Sequence, residues 1–546
     1  MSTRLKYLGT SAGVVAVYAL ATLPILVVFP PAWPDEVLFY SPAAALARGQ
    51  GMGTPVLAGF LPGIARYTYW QPPGYFFFLS LVLRFVTVSH HFLAMRLFSW
   101  FLGVVVLLLG VAILKRLAVK PSGVFLGLIV LGMQASFIQA ANVGRMEMLT
   151  LALTLAALDA YLAFREKRRA WLLAWTGFLA GVATVCHPVG ILAAGLMVVH
   201  EVAEALSRGA DGRRLTAERA SVPDNSSAVE GNYAGRRWAK EVLIFLGSSF
   251  AAFVPWLLYI AQSPRLFAAQ MAAQSARKSS YLGTLLTSGG YVHWIFHPFQ
   301  DAIWPLGHPI GGSWPFTQGT AVLIQVLMLI VGLVVLLAEG RRRLEASLLG
   351  AWALAGYAVN LFMPEFWYAV YFSVPCCVLL GWAVSATANR WGRGLALATL
   401  ILSAGLNFGM AKFLWYTGQD GSRRYKLYCA TLAQKMPPHS SVLLAALPDP
   451  YFGLLEENRS YRMYEFVPED VPVDKAQVEE SLSKIDYVVG SACCRPDYLV
   501  DYLLSHGRAE VTLDEWRSLF PPIVVWKLRA YENSPVKREG RSRNEE

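Results

Sequence analysis

Two short stretches are the most informative about the fold: Ala32-Trp33-Pro34-Asp35-Glu36, and Arg66-Tyr67-Thr68-Tyr69-Trp70-Gln71-Pro72-Pro73-Gly74-Tyr75. The first stands directly after the first long apolar run, and a glycine-rich loop separates it from the second. A pair of carboxylates beside a membrane face has to be solvated or paired with other charges. The pair therefore indicates either a surface feature or a reaction site.

The composition is that of a membrane protein. The chain has 546 residues, of which 55% are hydrophobic and 15% are charged, whereas soluble domains carry about a quarter charged residues. The net charge of +11 is typical of Lys and Arg held in cytoplasmic loops, so we expect a lipid bilayer and no nucleic acid as partner. Six cysteines are too few for a disulfide scaffold.

Uncharged runs long enough to cross about 30 Å of hydrocarbon recur up to residue 412 and predict about eleven transmembrane helices. They are 8–31, 97–114, 123–144, 148–164, 170–186, 188–199, 242–261, 319–338, 346–363, 366–388 and 394–411. The basic clusters between the runs fall on one side only if 72–88 does not cross, so this aromatic segment is predicted to be an interfacial helix.

This topology divides the chain into two domains and a tail. Residues 1–412 form the transmembrane domain, with a first external loop at 32–96, a cytoplasmic loop at 207–240 and an external loop at 262–318. Residues 413–530 are predicted to form a small extracytoplasmic α/β domain, with strands at 442–447, 487–490 and 523–528 and helices at 475–484 and 498–505. Residues 531–546 are predicted to be disordered.

The predicted topology brings chemically active side chains from distant parts of the chain to one face of the membrane. These are Asp35, Glu36, Arg66, Arg145, Glu147 and His187, with Tyr40, Tyr67, Tyr69, Trp70 and Tyr75 as aromatic candidates. Charges at such positions that do not cap helices are functional candidates.

Plainer interpretations stand beside these. Asp35 and Glu36 can be interfacial charges or a helix cap, Glu147 can be a structural partner of Arg145, and His187 can be a satisfied turn residue. Arg96 suits a headgroup anchor or the partner of an inner carboxylate. Three histidines with Asp301 in the 262–318 loop, namely His293, His297 and His308, lack a compact metal-ligand spacing, so no metal site is predicted.

The order of these motifs resembles the GT-C class of membrane glycosyltransferases that use polyprenyl-phosphate sugars. The resemblance is to the aminoarabinose transferases of lipid A, the protein O-mannosyltransferases and the transferases that build lipopolysaccharide cores. It rests on Asp35-Glu36, on the Pro72-Pro73-Gly74-Tyr75-Phe76-Phe77 closure of the loop, on Met95-Arg96-Leu97-Phe98-Ser99, and on Gly144-Arg145-Met146-Glu147. It covers residues 8–200, and beyond them only the general architecture is similar.

The resemblance implies a role for each matching residue. Asp35 stands where the family has its general base, and Glu147 stands where many members have an Asp that supports the acceptor or the base. Leu38 and Gln71 stand where some relatives have an Arg and a Lys near the donor phosphate. These two departures argue against aminoarabinose transfer and leave open which cation holds the phosphate.

The chemistry of the residues agrees with this expectation. Glycosyl transfer from a lipid phosphate needs a base for the acceptor hydroxyl and positive charge for the departing phosphate. We therefore expect an inverting glycosyltransferase with Asp35, Glu36 and Glu147 as catalytic residues. Donor binding is assigned to a second set, namely Arg66, Tyr69, Gln71, Tyr75, Arg145 and His187. No cofactor is required by this chemistry, and a divalent metal is possible but not indicated.

The expected partners are a polyprenyl-phosphate-linked sugar and an envelope lipid, glycan or protein that accepts the sugar. The expected location is the bacterial inner membrane, with the site and the C-terminal domain outside the cytoplasm. The alternative is a transporter or flippase, or a non-catalytic binder, of lipid-linked sugars. Transporters usually carry their ionisable residues in mid-span, whereas here the charges cluster at the outer ends.

Overall fold

The computed structural model describes residues 3–202, 226–303, 318–339, 343–363, 365–467, 474–491, 496–513 and 522–528. The N-terminal part is helical and the C-terminal part carries a sheet, which confirms the predicted combination of a polytopic helical domain with a small α/β domain. The predicted disordered tail at 531–546, most of the cytoplasmic loop and His308 lie outside the described residues.

The helical domain contains fifteen helices in its described part. Their bounds are α1 Thr3–Thr22, α2 Pro34–Ala47, α3 Gly74–Leu83, α4 His91–Arg116, α5 Pro121–Gly132, α6 Ala135–Asn142, α7 Glu147–Lys167, α8 Ala170–Cys186, α9 Pro188–Val202, α10 Ser226–Ile260, α11 Pro264–Ala302, α12 Gln318–Ala338, α13 Arg343–Phe362, α14 Val370–Ala386 and α15 Arg390–Lys435.

Every predicted span coincides with a helix, and the run 123–144 corresponds to the pair α5 and α6, which meet at 63°. Within the described residues, six helices are long and apolar enough to cross a membrane, or seven if this bent pair is one span. The remaining predicted spans are helices that do not meet this criterion. Helix α3 has 10 residues and rises only about 15 Å, which agrees with the prediction that it does not cross.

The bend between α5 and α6 is stabilised by a buried amide. Gln134 stands at the break, where its Nε2 donates to Ser403 Oγ at 2.8 Å and its Oε1 accepts from Gln325 Nε2 at 3.2 Å. A break in an apolar helix is tolerated where neighbouring side chains satisfy the exposed polar groups. The bend gives α6 its direction and so determines where the following residues, 143–146, lie.

Helices occupy parts of two segments that were predicted as loops by their side of the membrane, and that predicted sidedness stays a prediction. The described part of the external loop 262–318 is the helix α11, which bends at Gly290, where φ is +67°. Helix α10 already begins at Ser226, inside the predicted cytoplasmic loop 207–240. The sequence of α11 has no long apolar run, so the hydropathy pattern gave no indication of a helix there.

The C-terminal domain is a five-stranded sheet with flanking helices. Its strands are β1 Ser441–Ala445, β2 Arg462–Glu465, β3 Tyr487–Ser491, β4 Gly507–Leu513 and β5 Ile523–Leu528, in the order β2-β1-β3-β5-β4. Strands β1, β2 and β3 are parallel, and β5 is antiparallel to both β3 and β4. The helices are α16 Tyr451–Glu456, α17 Lys475–Leu482 and α18 Asp497–His506.

The three predicted strands and two predicted helices of this domain are present, whereas β2, β4 and α16 were not predicted. The predicted domain boundary at residue 413 falls inside α15, which continues without a break to Lys435. The domain docks on the first loop, 32–96. Asp449 N donates to Ala32 O at 2.8 Å, and Ser481 Oγ donates to Gly59 O.

Candidate functional site

The first carboxylate pair lies in the first turn of α2. Pro34 occupies the first helical position, where its missing N–H and fixed φ favour helix initiation. Asp35 and Glu36 therefore stand at the positive end of the helix dipole, which stabilises negative charge. Although they are neighbours in sequence, the two carboxylates have different surroundings.

Glu36 is fully buried in an ion pair. Arg96 donates two parallel hydrogen bonds to this carboxylate, from Nε to Oε1 at 3.0 Å and from Nη2 to Oε2 at 2.6 Å. Its oxygens also accept from Gly144 N at 2.9 Å and from Trp33 N at 3.2 Å. A carboxylate held on both oxygens in this way fixes the loop rather than meeting a substrate.

Arg96 is therefore not a headgroup anchor, because both it and its partner, the carboxylate of Glu36, are fully buried. Its remaining N–H groups donate to the carbonyls of Leu26 at 2.9 Å and Pro30 at 2.8 Å. The approach of Gly144 to Glu36 depends on the missing side chain, since a Cβ there would lie 2.2 Å from Met95 Cγ.

Asp35 points toward open space and is joined to a second ion pair. Its side chain is 32% exposed, and Oδ2 accepts from Arg145 Nη1. Oδ1 has no hydrogen-bond partner among the residues that the structure describes. Asp35 is thus held in position through Oδ2, while Oδ1 is left to contact a ligand.

Arg145 is held from three sides. Glu147, which is fully buried, accepts from Arg145 Nη2 at 2.8 Å and from Nε at 3.2 Å. The guanidinium lies over the rings of Trp367 and Phe39, at 4.4 and 5.0 Å. Burial alone would lower the pKa of Arg145, but the charges of Glu147 and Asp35 outweigh it and raise the pKa. The guanidinium is a permanent cation next to Asp35.

Asp35 and Arg145 line a cleft of about 1240 Å³, including its open mouth. Five parts of the chain form its walls: the first loop, the turn between α6 and α7, helix α11, the turn before α14, and the residues that follow strand β2. The lining residues are Asp35, Leu38, Phe39, Leu57, Leu61, Pro62, Ile64, Trp70, Gln71, Arg145, Leu266, Ala269, Gln270, Ala273, Gln274, Arg277, Lys278, Glu365, Tyr368, Phe466 and Val467.

One face of α11 forms a complete wall. Its lining residues follow the helical spacing i, i+3, i+4, i+7, i+8 and i+11 from Leu266 to Arg277. Along this face the side chains change from apolar at Leu266, through the amides of Gln270 and Gln274, to the cation of Arg277. The wall is therefore graded from apolar to cationic over about 16 Å.

The cationic end of this wall is paired across the cleft. Lys278 Nζ bonds to Glu365 Oε1, and the ammonium lies 5.4 Å from the centre of the Tyr368 ring. Burial alone would raise the pKa of Glu365, but Lys278, Arg277 and Arg145 together lower it. The carboxylate is thus ionised and part of a network with three cations.

The structure brings some predicted site residues to the cleft and leaves others away from it. Gln71 lines the cleft, as does Leu38, so both departures from the family pattern lie at this site. Tyr69 is buried behind the wall, with its OH donating to Tyr259 O at 3.1 Å. Tyr75 is buried against Phe39. Neither tyrosine is among the lining residues.

Arg66 and His187 are also not among the lining residues. Arg66 is exposed, with its guanidinium 5.2 Å from the Tyr67 ring centre. His187 is buried against Tyr368 and Tyr371. Burial and the nearby charge of Arg145 lower the pKa of His187 to about 3. A neutral imidazole does not supply positive charge for a phosphate.

Sequence reasoning missed Arg277, Lys278 and Glu365. A signal was present, because two adjacent basic residues in a predicted external loop depart from the usual bias of Lys and Arg toward the cytoplasm. Glu365 stands in a predicted outer turn but was not selected as a candidate. Within the described ranges, no group of three or more His, Cys, Asp or Glu is placed to hold a metal ion.

Comparisons with known proteins identify the fold. No protein-family model and no curated protein matches the sequence. The crystal structure of ArnT from Cupriavidus metallidurans, bound to undecaprenyl phosphate, is similar over 96% of this chain and 98% of its own, with a TM-score of 0.54 and 12% identity. The chain therefore has a GT-C fold, as the motifs implied.

Two further structures are similar at lower scores. The apo oligosaccharyltransferase of Archaeoglobus fulgidus matches 88% of this chain and 69% of its own, with a TM-score of 0.48 and 13% identity. The mycobacterial arabinofuranosyltransferase AftD matches 96% of this chain and 42% of its own, with a TM-score of 0.44 and 14% identity.

Proposed function

We propose that this protein is a membrane glycosyltransferase that transfers a sugar from a polyprenyl-phosphate donor to a hydroxyl group of an envelope lipid, glycan or protein. The observation that carries the proposal is Asp35, a partly exposed carboxylate at the cleft of a GT-C fold, whose Oδ1 accepts no hydrogen bond from the described residues. The similar structure of ArnT holds undecaprenyl phosphate, which supports a donor of this class.

Asp35 acts as the general base. Its Oδ1 accepts the proton of the acceptor hydroxyl as that oxygen attacks the anomeric carbon, while Arg145 holds Oδ2. The bond from the anomeric carbon to the phosphate oxygen breaks on the opposite face, so the configuration is inverted. The phosphate leaves as an anion and needs no general acid.

Glu36 and Glu147 serve as positioning residues in this mechanism. Glu36 fixes the start of α2 through Arg96, and Glu147 fixes the guanidinium that holds Asp35. Both are fully buried, so neither meets the substrate. A general base has to be held within hydrogen-bond distance of the proton that it accepts. Rigid positioning by these two ion pairs matters because a displacement of about 1 Å can lower a rate about a hundredfold.

The donor phosphate is bound by cations of α11. Leu38 and Gln71 stand at the cleft where relatives are expected to have cations, and Arg277 and Lys278 line the same cleft. Arg145 directs most of its N–H groups to Asp35 and Glu147. Arg277 and Lys278 therefore stabilise the charge that develops on the departing phosphate.

The test is mass spectrometry of envelope lipids, glycans and glycoproteins from cells carrying wild type, Asp35→Asn or the control Asp501→Asn. Asp501 is an exposed residue of α18 in the C-terminal domain. We expect Asp35→Asn alone to lose one sugar from the envelope and to accumulate a polyprenyl-phosphate sugar.

The binding of purified Asp35→Asn to undecaprenyl phosphate completes this test. Retained binding with lost transfer supports the base assignment. An unchanged envelope at normal protein levels removes Asp35 as the base and favours the transporter or a non-catalytic binder.

A further inference from the structure

Two acidic side chains are buried where the C-terminal domain docks on the first loop. Asp449 lies between strand β1 and helix α16, and Glu465 is the last residue of strand β2. Their exposed fractions are 0% and 1%, and the two carboxyl groups are in hydrogen-bond contact with each other. The proposed transfer reaction uses neither residue.

The contact between these carboxyl groups requires a proton. A carboxylate only accepts hydrogen bonds, so two carboxyl groups bond to each other only when one of them is protonated. Asp449 Oδ1 accepts from Tyr451 N at 2.8 Å, which stabilises a negative charge on Asp449. Among the described residues, no N–H group and no hydroxyl group donates to either oxygen of Glu465. Glu465 is therefore the group that keeps its proton and donates a hydrogen bond to Asp449.

Negative charges act on the pair from the first loop. The carboxylates of Asp35 and Glu36, on α2, disfavour ionisation of the pair. Arg145 and Arg96 direct their guanidinium groups to these two carboxylates rather than to the pair. A second negative charge at this place is therefore unfavourable.

The other titratable groups around the pair keep their charge state near neutral pH. Burial raises the pKa of Tyr425 and Cys429 on α15 and of Tyr451 on α16, so these groups stay protonated. Burial lowers the pKa of His91 on α4, so its ring is neutral at pH 7. Arg48 of the first loop acts on Tyr451 and remains a cation throughout.

Within the pair, Asp449 is the group that changes its charge. Burial raises the pKa of Asp449 to about 7, although the N–H of Tyr451 and the hydrogen bond from Glu465 lower it. Burial and the charge of Asp449 raise the pKa of Glu465 well above its usual value. Protonation of Asp449 therefore stabilises the docked state at low pH, and this contribution is lost as pH rises from about 4 to about 7.

The pair stands directly behind the site. Asp449 N donates to Ala32 O at 2.8 Å, three residues before Asp35 in the sequence. Glu465 immediately precedes Phe466, which lines the cleft. A change in the charge of the pair thus acts both on the docking contact and on one wall of the cleft.

We propose that Asp449 and Glu465 form a proton-operated latch between the C-terminal domain and the first loop. With Asp449 protonated, the pair is neutral and the two parts stay docked. With Asp449 ionised, a negative charge is buried beside the carboxylates of α2, which is unfavourable. Opening of the interface hydrates this charge, so the opened state becomes more populated as pH rises. The latch operates without sugar transfer and so goes beyond the proposed function.

The test is hydrogen exchange of the full-length protein in lipid nanodiscs, with peptide mass spectrometry at about pH 5 and about pH 7. Exchange of the unfolded chain at each pH corrects for the intrinsic rate. The interface peptides contain residues 32–40 and 449–456, and a peptide of strand β3 reports on the core of the domain. The variants are Asp449→Asn and Glu465→Gln, with Asp501→Asn as control because Asp501 is an exposed carboxylate of α18.

We expect the corrected exchange of both interface peptides to rise at least about tenfold between these two pH values in wild type and Asp501→Asn, with strand β3 unchanged. Asp449→Asn cannot ionise, so its interface peptides should change less than about twofold. Glu465→Gln still donates to Asp449 and should retain the rise. At about pH 7, the infrared carbonyl band of protonated carboxyl groups should be weaker in Glu465→Gln than in wild type.

Absence of the rise in wild type, or a rise of the same size in Asp449→Asn, would overturn the latch. A rise that extends equally to strand β3 would also overturn it, because pH would then act on global unfolding. An infrared band that is unchanged in Glu465→Gln would show that the pair holds no proton. These measurements require no sugar transfer, so their outcome is independent of the Asp35→Asn experiment that tests the proposed function.

Discussion

Replacing Arg96 by Met tests whether the buried ion pair with Glu36 holds the first loop in place. The substitution removes the guanidinium but keeps an apolar stem in contact with Phe92, whose ring lies 4.4 Å from Arg96 Cζ. Glu36 is left fully buried, with only the N–H groups of Gly144 and Trp33 as donors.

The magnitude follows from this geometry. Removing one partner of a buried pair costs about 3–5 kcal/mol, because the other charge remains without compensation. The double variant Arg96→Met with Glu36→Leu removes that charge. It should be less destabilised than Arg96→Met alone by about 1–3 kcal/mol, and its remaining loss reflects the backbone carbonyls that Arg96 had satisfied.

The assay is chemical unfolding of the purified protein in detergent, followed by tryptophan fluorescence. Arg116→Met is the matched control, because its pairs with Asp159 and Glu166 are partly exposed, with 27% of the Arg116 side chain accessible. Such a pair is worth about 1 kcal/mol or less. Equal stability of Arg96→Met and Arg116→Met, or a double variant that loses the sum of its single losses, would refute the reasoning.

Three further predictions concern the donor site, the C-terminal domain and helix packing. Lys278→Gln should weaken the binding of undecaprenyl phosphate, measured by calorimetry, about tenfold. Glu365→Gln should strengthen this binding, because Glu365 neutralises Lys278 in the free enzyme. Equal weakening by both substitutions would contradict the assignment of Lys278 to the donor phosphate. Burial raises the pKa of Asp449 to about 7, so the folded state retains a proton that the unfolded state loses above about pH 4. The contribution of Asp449 to stability therefore falls as pH rises from about 4 to about 7. The difference in Tm between Asp449→Asn and wild type should shift in favour of the variant as pH rises over this range, whereas an unchanged difference would exclude Asp449 as a titrating group. Gly74→Ala should destabilise the protein by about 1–3 kcal/mol in the same unfolding assay, because the added Cβ would lie 2.8 Å from a backbone carbonyl oxygen of α8. A Gly74→Ala variant as stable as wild type would show that α3 and α8 can move apart at no cost.

The sequence was most informative about charged residues that stand at the ends of apolar runs. Asp35 follows the first apolar run and Arg145 precedes another, so both were assigned to the same face, and both line the cleft. The separate role of Glu36 was not predictable, because it depends on Arg96, which lies 60 residues away in sequence. Although Glu36 is adjacent to Asp35 in sequence, Glu36 is fully buried and Asp35 is partly exposed.

Helix α11 shows why the rest of the site was missed. Its cleft-lining face mixes leucine, alanine, glutamine and arginine, so neither a long apolar run nor a strong amphipathic pattern marks it in the sequence. Its first half begins with Pro264 and is rich in alanine, so local propensity favours a helix although hydropathy does not mark it. Gln270 holds this helix against the first loop through the backbone of Tyr69 and Tyr67, and that contact could not be predicted from the sequence.

The uninterrupted helix α15 has a practical consequence for imaging this protein. Its 46 residues rise about 69 Å and join the bilayer-embedded part to the sheet without a hinge in the helix. An antibody fragment raised against the sheet would therefore hold a fixed orientation relative to the spanning helices and could serve as a fiducial for particle alignment. A truncation meant to remove the sheet should keep the chain up to Lys435, because a cut at the predicted boundary, residue 413, would fall inside this helix.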